Sequence, residues 1–143
     1  MSSQNQDISD FKQTAIPGTL ASASRFSHLK SEKFDPESLL ELLDGDMDLL
    51  RELISVFDAE YPGMIARVEA AVQQGSALDL EKSAHRLKGS VLQFSGRAAG
   101  AAAFELEEKG RNGSVAGAEK PLQTLKAETE SLMKALHLMI CGA

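Results

Sequence analysis

The residue with the most chemistry to offer is His85. An imidazole titrates ordinarily near pH 6.5, so at cytosolic pH one ring nitrogen is free to act as a nucleophile without a dedicated base. Placing successive residues about 100° apart, as in an α-helix, gathers Leu80, Ala84, Leu87, Val91 and Phe94 within roughly 80° of arc. That arc is a core face, and His85 lies outside it. Around His85 the same projection sets Leu78, Lys88, Gly89, Leu92 and Gly96, an exposed strip that mixes a cation, glycines and leucines. Between Glu81 and Arg97 the cations Lys82, Arg86, Lys88 and Arg97 stand against the single acid Glu81, in a chain whose formal net charge is −6. A positive island around an exposed imidazole suits a phosphoryl group. Gly89 costs about 1 kcal/mol against alanine in mid-helix, which leaves two readings: an offsetting gain through access for a partner's surface to the backbone beside His85, or a tolerated surface glycine.

The elements that must position this strip are read from caps and periodicity. Residues 1–33 carry Ile8, Phe11, Ile16, Leu20, Phe26 and Leu29 at no sustained period, which predicts a flexible polar tail or linker. From Phe34 the pattern changes. Asp35-Pro36-Glu37 is an N-cap followed by proline and an acid, and it opens a short helix that ends at Gly45. Asp46 caps a second helix to about Gln74, with Leu49, Leu50, Leu53, Val56, Phe57, Tyr61, Met64, Ile65, Val68 and Val72 as its buried face and a bend at Pro62. Gly75 stops it, and Ser76 to Asp79 reads as a capping box for the helix that bears His85, which continues to about Phe94. A further helix runs through Ala98 to Arg111, its small residues allowing close approach and Phe104 and Leu106 supplying bulk. Gly110 to Gly113 makes a turn. The last helix buries Leu122, Leu125, Thr129, Leu132, Leu136 and Met139 and starts between Ser114 and Pro121. No strand pattern is present. The expected fold is all-α, an antiparallel four-helix bundle over residues 34–140 with a short additional N-terminal helix.

Composition bounds the function classes. The chain has 143 residues, 43% hydrophobic and 25% charged, as one globular domain would. Its net negative charge disfavours nucleic acid and anionic membrane surfaces as partners. The single Cys141 allows no internal disulfide and no Cys-rich zinc site, and it fits a reducing compartment. The N-terminus lacks the basic and apolar regions of a signal peptide, so the expected location is cytoplasmic. Neither a glycine-rich phosphate loop nor an H-E-x-x-H pair occurs, so ATP hydrolysis and zinc chemistry have no support. His28 and His137 lack the context of His85 and read as incidental, the latter a cation near a helix C-terminus. Met133 and Met139 read as core filler.

The run Ala84-His85-Arg86-Leu87-Lys88-Gly89-Ser90 resembles the signature of histidine-containing phosphotransfer domains, the carriers of multistep two-component phosphorelays, and the resemblance extends over roughly Phe34 to Ile140. It implies a four-helix bundle with the phosphorylated histidine, His85, exposed midway along a helix. It also implies that Lys88 contacts the phosphoryl group, that Gly89 gives a receiver domain room to dock, and that Glu107 on the following helix bonds the histidine Nδ1. Leu78, Lys82, Arg86, Leu92, Gln93 and Gly96 would then form the partner-binding surface. The pattern departs from the family at two places: Ser95, followed by Gly96, stands where a glycine is usual ten residues after the histidine, and Leu92 stands where a small residue is usual. The implied partners are response-regulator receivers and a hybrid sensor histidine kinase. No cofactor is expected, since Mg²⁺ would be bound by the receiver. The chain would act as a monomer that passes phosphate between receivers and has no ATP site. The rival readings are a helical adaptor that is not phosphorylated, and a domain excised from a hybrid kinase.

Overall fold

Side-chain caps start three of the five α-helices in the computed structural model, which describes residues 26–141. Asp35 accepts from the Ser38 backbone N–H at 3.1 Å and starts α1, Pro36–Leu42. Asp46 accepts from Leu49 N–H at 3.0 Å and starts α2, Met47–Gln74, which runs unbroken through Pro62. Gly75 stops α2 in the left-handed region, at φ 70°. The Ser76 hydroxyl accepts from Asp79 N–H at 3.3 Å and opens α3, Ala77–Gln93. After a tight turn come α4, Arg97–Arg111, and α5, Glu119–Cys141. Among the described residues there is no strand, only an isolated bridge between Phe34 and Gly96.

Helices α2, α3, α4 and α5 pack in a ring in chain order and close where α5 meets α2, with the broadest contact between α3 and α4. The four-helix bundle with a short N-terminal helix is therefore the observed architecture. Its core holds Leu80, Ala84, Leu87, Val91 and Phe94, as the projection requires, packed with Leu50, Ile54, Val68, Leu106, Leu125 and Leu136. Burying this apolar surface is the main force that holds the ring together.

Five expectations need correction. The tail boundary at residue 33 is too late: Phe26 is buried, Leu29 packs on the core, and Arg97 N–H donates to the Lys33 carbonyl at 2.8 Å. A short 3-10 turn, Ser27–Leu29, carries these side chains onto the bundle without helical periodicity. The rest of that segment, 1–25, lies outside the described residues. Phe104 is not core but 47% exposed, while Leu49 and Val56 lie outward on α2 and Ile54 and Ala71 are buried in their stead. Gly110 is not a turn residue. It is buried inside α4, where a Cβ would stand 2.5 Å from both the Ala77 carbonyl oxygen and the Glu81 nitrogen, so its missing side chain is what lets α4 approach the backbone of α3. Gly96 is likewise buried rather than on the docking surface, since a Cβ there would meet a Leu132 methyl at 2.6 Å.

Candidate functional site

Two adjacent helices build the site. α3 supplies His85 and Lys88, one helical turn apart, and α4 supplies Phe104, Glu107 and Arg111, which recur at the three- and four-residue spacing of one helical face. The close approach of α3 and α4 at Gly110 brings the two faces together. The imidazole of His85 is 67% exposed, whereas the Glu107 side chain is 2% exposed. A buried carboxylate needs partners. Glu107 has three: Oε2 lies 2.7 Å from His85 Nδ1 and 3.0 Å from Arg111 Nη2, and Oε1 lies 2.6 Å from Lys88 Nζ.

Burial by itself pushes the Glu107 carboxyl up, but the hydrogen bonds and charges of Lys88 and His85 outweigh it and hold the group below its ordinary 4.5. Ionised at neutral pH, it can only accept hydrogen bonds, so His85 Nδ1–H donates to it. The ring's lone pair then sits on Nε2, which has no partner among the described residues. Lys88 is 21% exposed and stands over the Phe104 ring, 5.1 Å from its centroid, so Phe104 covers the ammonium that Glu107 holds. Arg111 also pairs with Glu81 at 3.3 Å and with Glu108, and the Glu81 hydrogen bond, followed by the Glu108 charge, raises its pKa further.

Gly89 is exposed, and a Cβ there would meet nothing within 4 Å. Leu78 and Leu92 flank the imidazole along α3, 58% and 48% exposed. Leu92 also lies over Gly100 of α4, where a Cβ would stand 2.4 Å from its methyl. Gln93 faces a cleft with Leu42 and Ser95, at the end of α3. Lys82 and Arg86 are exposed but line the other side of α3, toward α2. Arg97 is committed elsewhere, to Asp35 at 3.3 Å. The positive island of the sequence is thus divided between two faces. His137 pairs with Asp58 at 3.4 Å, and His28 lies in the 3-10 turn, both outside the site.

The expected cluster of His85, Lys88 and Glu107 comes together, and Phe104 and Arg111 join it unforeseen. Their signal was in the sequence, as positions three before and four after Glu107, but the Glu105 to Lys109 run looks like an ordinary solvated face. Among the described residues no group of three or more His, Cys, Asp or Glu side chains is placed to hold a metal ion. No described helix is long and apolar enough to cross a membrane.

Comparison with curated proteins and with solved structures returns no match. The family model described as Hpt domain matches residues 52–135, which is more than half of the chain and includes every residue of the cluster. An exposed histidine on a helical bundle, with a matching family model across that bundle, leads to one assignment: the chain belongs to the Hpt domain family, the histidine-containing phosphotransfer modules of two-component phosphorelays.

Proposed function

We propose that His85 is the phosphoryl carrier of this domain, loaded by the aspartyl phosphate of one receiver and unloaded by the aspartate of another. The observation that carries this reading is the pairing of an exposed imidazole with a buried, ionised Glu107 at its Nδ1. In the loading step the Nε2 lone pair attacks phosphorus, the Nε2–P bond forms, and the P–O bond to the donor aspartate breaks with its electron pair leaving on the carboxylate. The Nδ1 proton stays with the ring, held by Glu107, so the positive charge that the imidazole gains lies against an anion. Unloading is the reverse reaction with a different aspartate.

Lys88 has three N–H donors and spends one on Glu107, which leaves others for the phosphoryl oxygens as charge builds on them. Gly89 gives the receiver room beside the imidazole, and Leu78, Leu92 and Gln93 supply contact surface. The receiver brings the Mg²⁺ and its acidic ligands, so this chain acts as a cytoplasmic monomeric carrier with no nucleotide site of its own, fed by a hybrid sensor kinase. The test is incubation with a phosphorylated receiver. The native chain should acquire an acid-labile, alkali-stable phosphate that His85→Gln does not, with both chains equally helical and equally stable because residue 85 is exposed. Label that persists on His85→Gln would overturn the assignment, and a chain that binds receivers but never takes label would be an adaptor.

A further inference from the structure

A groove of about 350 Å³ between α2 and α3 is lined by the cations Arg67, Lys82 and Arg86 together with one acid, Asp79. It continues past Arg67 and Arg86 into a second hollow of about 220 Å³ beside Glu60 and Gly63. The described arginines divide cleanly. Arg51, Arg97 and Arg111 are in ion pairs, and the other two, Arg67 and Arg86, both line this groove. Among the described residues neither of them, nor Lys82, pairs with an acid. A guanidinium with all its donors unspent is matched to a carboxylate, which it can hold through two parallel bonds. Such a concentration of free cations stands out in a chain of net charge −6.

We propose that this groove docks and steers the acidic face of the receiver, with Arg67 as a contact that no feature of the His85 motif includes. The inference rests on the phosphocarrier reading. The placement favours it, because Arg86 follows His85 directly and Lys82 precedes it by less than one turn, so the groove opens along the same helix that presents the imidazole. The occupant is also suited by charge. A partner that carries the transferred group on an aspartate, and holds Mg²⁺ with further acids, presents the complementary sign, whereas a nucleic acid would meet the repulsion of the whole chain. Charges at an interface rim act mainly on the association rate and weaken with salt.

The experiment measures transfer from phosphorylated receivers against ionic strength, beside phosphorylation by phosphoramidate, a small donor that needs no docking surface. Arg67→Glu should slow receiver transfer by about tenfold at low salt and flatten its salt dependence. It should leave the phosphoramidate rate unchanged, and Arg67→Lys should restore most of the loss. Equal receiver transfer by the native chain and Arg67→Glu at every ionic strength would overturn the groove assignment while leaving His85 as carrier. Retention of duplex DNA or RNA by the native chain, lost in Arg67→Glu with no change in receiver transfer, would also overturn it in favour of a nucleic-acid site. Failure of both donors to phosphorylate the native chain would remove the carrier reading and the groove with it.

Discussion

At the scale of single residues, Glu107 decides what His85 can do, because one buried carboxylate fixes the tautomer of the imidazole and neutralises Lys88. Glu107→Gln keeps the volume and removes the charge, so Nδ1–H loses an anionic acceptor and Lys88 its counter-ion. Phosphorylation by a small donor should slow on the order of tenfold or more, read as the initial rate of phosphohistidine formation, and imidazole ¹⁵N shifts should report a mixed tautomer. The same group makes stability depend on pH. Its folded pKa lies below the ordinary 4.5, so the stability contributed by ionised Glu107 is complete above 4.5 and is lost as pH falls through the lower folded value. Denaturant titrations should therefore show a shallower decline below pH 4.5 for Glu107→Gln than for the native chain, and parallel declines would contradict the shift. Gly89 separates access from stability. Open space surrounds it, so Gly89→Gln should raise the melting temperature slightly, as about 1 kcal/mol of helix propensity predicts. It should also hinder the receiver, where a displacement of about 1 Å costs on the order of a hundredfold in rate, while phosphoramidate still labels His85.

At the scale of elements, the end of α3 shows what a departure from the family pattern means physically. Gly96 N–H donates to the Val91 carbonyl at 2.8 Å and Ser95 N–H to the Leu92 carbonyl at 2.9 Å, the paired bonds of a Schellman stop. That stop needs a left-handed residue, and Ser95 supplies it at φ 63°. A side chain there costs roughly 1–2 kcal/mol, which is why a glycine is favoured at this position. Ser95→Gly should stabilise the chain by about 0.5–1 kcal/mol, after the extra backbone entropy of glycine is counted, and an unchanged or lower unfolding midpoint would refute the account. Helix starts and stops were legible in the sequence because a cap is a local device: Asp35, Asp46, Ser76 and Gly75 each act within a few residues. Gly110 was not, because its role lies in α3, more than twenty residues away in sequence. A methyl there meets backbone, which cannot swing aside, so Gly110→Ala should cost about 1–3 kcal/mol. It should also lower the phosphorylation rate by spreading α3 from α4, and a rate unchanged despite lost stability would show that the helix spacing does not set the His85–Glu107 contact.

At the scale of the whole molecule, the ring of four helices is closed at one end by chain that carries no periodic signal. Phe26 and Phe34 are buried, Leu29 packs on the core, the Lys33 side chain pairs with Glu128 of α5 at 3.0 Å, and its carbonyl receives the first N–H of α4. This segment ties together two helices that are neighbours in the ring. A period of 3.6 could not reveal it, because a 3-10 turn and an isolated bridge bury side chains one at a time rather than along a stripe. The His85 motif, by contrast, was legible because its residues lie within two turns of one helix. The residues that meet Lys33 and Phe34 on the bundle, Gly96, Arg97 and Glu128, do not belong to the cluster of His85, Lys88, Phe104, Glu107 and Arg111. Stability and phosphotransfer should therefore separate. Truncating a buried phenylalanine removes about 3–5 kcal/mol, a large part of the 5–15 kcal/mol that holds a domain of this size. Phe26→Ala should lower the denaturant midpoint accordingly, yet below the transition it should take phosphate from phosphoramidate at the native rate. A midpoint within experimental error of the native chain would place Phe26 outside the core, and a slowed reaction in the folded variant would couple this end of the bundle to His85.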